Sequence, residues 1–419
     1  MKKKVCVILL CIPCLLLLLS VKQGSKLTPE NFSNFKEYSQ DYDYLVQMLK
    51  DNYPYWNLAE RQGRNAMECL SAYRNDAIRA GSLAEFYSCV ERGLSSLENL
   101  GHLRLISPSE YTESLFPIYQ ESQDSWGRAI CNPITEKSYR FLISQIGQTY
   151  SVKGTAEKPE AGASVEIELQ LLEQDDIKIG ILTIPSFFLK MGANEQDHAE
   201  KEIVEIFEPF YQQCVDCDHI IFDIRKNGGG SDSVWQYGIV APNLEQELGC
   251  FYIGLGRNSS LNRQYLSSIG VMEHGNSVSF LPELGLCPTD MEDMTHYWIF
   301  RKLISPSGAK KAFSGHLWVL TSSANYSAAE NFVSYCKATG FATLVGESTS
   351  GGGGGVSPAF IVLPNTGLLV QYDMLCRINP DGTLNEENGT VPDISAPSNQ
   401  TALETCLKEI RKQYCNTTF

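Results

Sequence analysis

The chain predicts an α/β fold with an N-terminal helical cap, and three observations carry that reading. A helix-rich stretch occupies Leu27 to Leu100, strand-like and helix-like runs alternate from Ile177 onward, and a buried strand-like run passes directly into a helix at Ser327. The 419 residues suffice for one large or two ordinary domains. With 43% hydrophobic and 20% charged residues the composition is that of a globular chain rather than a disordered one. A formal net charge of -15 works against nucleic acid and anionic lipid as partners, so no nucleic-acid function is expected.

In chain order, Lys2, Lys3 and Lys4 precede an almost unbroken apolar run from Val5 to Val21. Residues 1–24 therefore read as a secretory signal peptide or an uncleaved anchor, and the chain is expected to be exported, secreted or tethered to the outer side of the cell membrane. No small-x-small site follows Ser20, so both readings stay open. Residues 27–102 form the cap. Phe35, Tyr42, Leu45, Met48 and Leu49 recur near helical spacing until Asn52-Tyr53-Pro54, and Ser82 with Glu85 has the form of a capping box. Residues 103–176 have no strong period and read as an irregular connection.

Residues 177–419 form the α/β core. Strands are expected over Lys178–Ile184, His219–Ile224, Leu317–Thr321 and Ala342–Gly346. Helices are expected near His198–Cys214 and over Ser327–Thr339. Phe360–Leu363 and Leu368–Tyr372 flank the turn Pro364-Asn365-Thr366-Gly367, and Gln400–Tyr414 reads as a closing amphipathic helix. Three of the 14 cysteines lie in the export segment, and the odd remainder has no disulfide-framework spacing. Cys214 and Cys217 make a C-x-x-C with no second pair, which reads as small buried residues at a helix end; no metal and no cofactor is expected.

Two local features bear chemistry. Ser327 opens a helix after the strand Leu317–Thr321, where unpaired N–H groups and the positive dipole end can stabilise an oxyanion. The same position suits a helix cap, with Glu330 completing a capping box. Asp223-Ile224-Arg225-Lys226-Asn227-Gly228-Gly229-Gly230 follows a strand, and its glycines let the backbone approach a ligand closely. Neither nucleotide-loop pattern is present.

Together these pieces resemble the tail-specific-protease/tricorn-core family of serine peptidases, the C-terminal-processing-peptidase type. The matching stretches are Ile220–Gly230, Ser327–Glu330 (S-A-A-E), Gly346–Gly352 (G-E-S-T-S-G-G) and Gly389–Ile394 (G-T-V-P-D-I), in the family's order. The resemblance implies a crotonase-like ββα core, Ser327 as nucleophile, and oxyanion donors from Ala328 together with Gly228 or Gly229. In the serine-lysine version a lysine stands where this chain has Gly352, so the histidine-dependent, tricorn-like version is implied, with His102 in Leu100-Gly101-His102 as base. That version has a serine where Gly101 stands. The implied third polar member is Glu386, with Glu387 as its neighbour, acting on the second serine or on a water near Ser327. No PDZ domain is evident between His102 and Ile177. The expected function is an exported serine endopeptidase acting on extended or unfolded polypeptides through an acyl-enzyme. The alternative is an inactive ligand-binding protein on the same scaffold.

Overall fold

The computed structural model describes residues 35–122, 125–146, 167–188, 196–271, 275–280, 290–291 and 294–417. The expected export segment lies outside these residues. Among the described residues no helix is long and apolar enough to cross a membrane.

Among the described residues, thirteen strands run in chain order as β1 (Arg104–Leu105), β2 (Glu168–Gln174), β3 (Ile177–Thr183), β4 (His219–Asp223), β5 (Leu248–Gly256), β6 (Asn276–Ser277), β7 (His296–Ile304), β8 (His316–Thr321), β9 (Thr343–Gly346), β10 (Ala359–Val362), β11 (Leu369–Tyr372), β12 (Leu375–Ile378) and β13 (Ile394–Ser395). They form three sheets, with orders β13-β9-β8-β4-β3-β2, β12-β5-β7-β6 and β1-β11-β10. The first is parallel from β3 to β13, with β2 antiparallel at its edge. The other two are antiparallel.

The parallel sheet is covered on both faces, which is why its strands read as continuous apolar runs. All five residues of β4 are buried, and so are five of the six in β8. One face packs on the helices Gln196–Gln213 and Ala328–Thr339 through Phe207, Phe222, Val319 and Phe332. The other packs on the C-terminal helix Ala402–Thr417 through Ile221, Trp318, Cys406 and Ile410. The fold is thus mixed α/β with a helical N-terminal region, as the sequence predicts.

The N-terminal helices Phe35–Asn52, Ala66–Ile78 and Leu83–Ser95 share a single apolar core with the two antiparallel sheets. Ser82 caps the last of them by accepting the Glu85 N–H, while Glu85 reaches back to the Gly81 N–H. The stretch read from sequence as irregular holds several short helices and the longer Pro133–Ile146, besides β2.

β1 begins two residues after His102 and pairs with β11, Arg104 opposite Gln371 and Leu105 opposite Val370. Carried two residues further, that register sets His102 opposite Asp373. The Asp373 N–H donates to the Gly101 carbonyl at 2.7 Å, so the pairing does extend beyond β1. Asp373 itself sits at the bend between β11 and β12, where the chain leaves one sheet for another.

Candidate active site

Ser327 lies between β8 and the helix Ala328–Thr339, at the carboxyl edge of the parallel sheet. Its backbone has φ 57° and ψ -124°, a left-hand-side conformation rare for a residue with a Cβ and costing of order 1–3 kcal/mol. It occupies the N-cap position, yet its hydroxyl makes no capping bond. Glu330 does not complete a capping box either. It is fully buried and accepts hydrogen bonds from Thr349, Thr390 and Asn385, tying together the two loops behind the helix start. The simple helix-cap account of Ser327 is therefore overturned by the geometry.

Two loops hold this turn. Asn325 donates through Nδ2 to the carbonyls of Ile224 and Asn227, and the Ser327 N–H donates to Gly351 at 3.2 Å. Gly229 (φ 116°) comes so close that a Cβ there would lie 2.9 Å from the Ser327 Cβ and 3.2 Å from the Ala328 nitrogen. At Gly228 the nearest atom to such a Cβ is 3.9 Å away. The Ala328 N–H, first in its helix, has no intrahelical acceptor. The Gly229 N–H is engaged by Asn227 Oδ1 at 2.9 Å, whereas no acceptor for the Gly228 N–H is found among the described residues.

His102 ends the short turn Leu100–His102 and itself has φ 54°. Its Nδ1 lies 2.8 Å from Asp373 Oδ2, and the Asp373 side chain is 3% exposed. With Nδ1–H donating to this carboxylate, Nε2 is the nitrogen left to take a proton. The ring packs at 4.7 Å, tilted, on the ring of Tyr326, the residue before Ser327. No hydrogen bond joins His102 to Ser327 among the described residues; the two are brought together through Tyr326.

Behind this pair, Glu386 Oε1 accepts from the Gly101 N–H at 2.7 Å and from the Tyr326 hydroxyl at 3.1 Å. Its Oε2 is buried without a partner among the described residues. Glu386 therefore braces the turns that carry His102 and Ser327. Glu387 points elsewhere, to Arg61.

The electrostatics follow from this burial. For His102 desolvation is the largest influence and disfavours the charged ring, but the Asp373 charge and hydrogen bond, with help from Glu386, outweigh it and hold the pKa above the ordinary histidine value. Burial, reinforced by the Asp373 charge, pushes Glu386 up to about 7.

Both departures from the family pattern have steric causes. A Cβ at Gly352 (φ 75°) would lie 2.2 Å from the Tyr326 ring, so no lysine fits there, and Lys337 is paired with Asp393. A Cβ at Gly101 would lie 2.4 Å from the Tyr55 ring, which closes that position to serine. The other described histidines lie apart: His219 and His316 begin adjacent strands at the opposite end of the sheet, and His296 begins β7. The side chains of His198 and His274 lie outside the described residues.

Asp373 is the residue the sequence did not announce. Its only local signal is an acidic residue directly after the β11 run Leu369–Tyr372.

The sequence profile of peptidase family S41 matches residues 178–396, more than half of the chain. The chain belongs to peptidase family S41. It is accordingly a serine peptidase. No curated protein matches the chain in sequence. Among solved structures, mature CPAF complexed with lactacystin is similar with a TM-score of 0.51 at 14% identity, over 91% of this chain and 98% of that one. A Parabacteroides merdae ATCC 43184 structure has a TM-score of 0.49 at 19% identity, over 88% and 96%. The photosystem II D1 C-terminal processing protease has a TM-score of 0.41 at 12% identity, over 88% and 96%. At such identities the CPAF likeness speaks to the S41 fold alone.

Proposed function

We propose that this S41 peptidase is an exported endopeptidase that cleaves extended or unfolded polypeptides through an acyl-enzyme on Ser327, with His102 as general base. The observation that carries the reading is the buried Asp373 carboxylate on His102 Nδ1, which orients the ring whose face packs on the residue preceding Ser327.

In this reading His102 Nε2 takes the Ser327 hydroxyl proton as Oγ attacks the peptide carbonyl. The Ala328 and Gly228 N–H groups receive the developing oxyanion, each such donor lowering the barrier by about 3 kcal/mol. Asp373 stabilises the imidazolium, which then gives its proton to the leaving amine. Water, activated by the same nitrogen, releases the acyl group. Glu386 is a positioning residue that fixes Gly101 and Tyr326. Export is supported by the lysine cluster and apolar run of residues 1–24.

The test is acid-quench mass spectrometry of the protein mixed with an unfolded, quenched-fluorophore polypeptide. A transient acyl adduct on the peptide containing Ser327, absent in Ser327→Ala, is expected. Turnover with no adduct, or an adduct elsewhere, would refute the nucleophile. Fusion of residues 1–24 to a reporter is expected to deliver it across the membrane, and cytoplasmic retention would refute export.

A further inference from the structure

One helical turn beyond Ser327, on the same helix, lies a narrow cleft of about 10 Å³, room for a group the size of one water, that the reaction chemistry above does not use. Its walls are Asp232 and Trp235 from the helix after the first glycine loop, Tyr252 on β5, Lys302 on β7, Asn331 on the Ser327 helix and Arg377 on β12. Asn331 follows Ser327 by four residues, so the cleft lies about 6 Å along the helix axis from the nucleophile. The loop Gly352–Gly355 joins the two places: position 352 lies against Tyr326, 353 against Asn331, 354 against the Asp373 carboxyl and 355 against the Tyr252 ring.

Arg377 is the unusual member. It is 8% exposed, yet its guanidinium makes one long hydrogen bond, 3.4 Å to Asn331 Oδ1, and its Nε has no acceptor among the described residues. A buried arginine normally spends its five donors on carboxylates or carbonyls, because leaving them unmet is costly. The nearby acids are already committed. Asp232 accepts from Asn331, Trp235 and Lys302. Glu330 accepts from Thr349, Thr390 and Asn385. Arg377 instead lies over Tyr252, its Cζ 5.0 Å from the ring centroid, and the Tyr252 hydroxyl is fixed by the Gly355 carbonyl. Lys302, over Trp235, adds a second cation at the rim.

We propose that this cleft is a substrate subsite that binds a carboxylate, Arg377 donating the principal hydrogen bonds and Lys302 supporting it. The assignment rests on Ser327 being the nucleophile, since its distance from that residue makes it a subsite. A glutamate or aspartate side chain beside the scissile bond carries the matching charge, its carboxylate alone meeting Arg377 and Lys302 at the mouth of the cleft. The carboxylate at a substrate's C-terminus has the same chemistry.

The experiment compares three peptides that share one neutral, extended sequence: Glu at the position flanking the cut with an amidated end, Gln there with an amidated end, and Gln there with a free C-terminal carboxylate. Cleavage by wild type is followed alongside binding to Ser327→Ala, with fluorophosphonate labelling of wild type as the check on the nucleophile. A carboxylate met by charge-assisted bonds is expected to raise kcat/KM and affinity about tenfold or more over the Gln amide. Preference for the Glu peptide assigns an acidic side chain, and preference for the free-acid peptide assigns the chain end. Arg377→Gln is expected to bring the ratio near one, and Lys302→Gln, at a half-buried site, to lower it partly. Equal handling of all three peptides by both proteins would overturn the subsite, as would a preference that survives in both variants. Failure of wild type to label would remove the nucleophile, and the binding arm on Ser327→Ala would still decide whether the cleft takes a carboxylate.

Discussion

The two arms of the site are built by opposite routes. The nucleophile arm is local: β8, a short loop, Ser327 and its helix follow one another within some twenty residues, and the turn is locked by loops at neighbouring strand ends. The base arm is assembled over long range. His102 and Asp373 are 271 positions apart and Gly101 and Glu386 285 apart, and the first meeting lies on the continued pairing of β1 with β11. A local arm tolerates change elsewhere in the chain, whereas a long-range arm fails whenever the helical cap shifts against the core.

The largest expected effect breaks the base arm at its hinge. Asp373→Asn keeps the shape but removes the charge that favours imidazolium and fixes the tautomer, so kcat is expected to fall by about 10³–10⁴. The sign of the pH effect follows from the forces on His102. In wild type the rising limb of kcat/KM is expected above the ordinary histidine pKa, set by the coupled His102, Asp373 and Glu386 cluster. In the variant, burial acts unopposed by Asp373, and the limb is expected to move to lower pH. A limb unchanged in position would show that Asp373 does not govern the base.

On the nucleophile arm, the two glycines form a graded pair. Gly229→Ala puts a Cβ against Ser327 and the Tyr326 carbonyl in a backbone region unsuited to alanine, and a loss of activity of about a hundredfold is expected. Gly228→Ala meets only the Ala324 carbonyl, at an ordinary contact distance of 3.9 Å, and a change within about threefold is expected. Equal losses in the two would mean that the loop does not press on the nucleophile as described.

The smallest effect concerns stability. Glu386 titrates near 7 in the folded chain, against 4.5 for the free group. A raised folded pKa means that its contribution is present below the unfolded value and is lost as pH climbs through about 7. The ionised carboxylate therefore destabilises the protein at pH 8 by up to roughly 3 kcal/mol. Glu386→Gln is expected to flatten the thermal-stability profile between pH 5 and pH 8, and an unchanged slope would refute the titration.

The same contrast explains what could be read from the sequence. The strand-to-helix junction at Ser327 and the glycine loop after β4 were legible because each is specified by adjacent residues of distinctive type. Asp373 was not, since an acid after a strand is ordinary and only the register of β1 on β11 sets it opposite His102. Glu386 was named by resemblance, but its partners Gly101 and Tyr326 come from distant segments. The helices of residues 108–146 escaped periodicity because Pro108, Pro117 and Pro133 cut them into short pieces. Ser107-Pro108-Ser109-Glu110 did carry a cap signal, and the Ser107 hydroxyl does accept the Glu110 N–H.

The most direct test of the central claim, that the distant His102 activates the local Ser327, is fluorophosphonate labelling of the purified wild type, Ser327→Ala and His102→Ala. Rapid labelling of wild type, none in Ser327→Ala and a rate at least about a hundredfold lower in His102→Ala are predicted. A folded wild type that does not label, or His102→Ala labelling at the wild-type rate, would contradict the account.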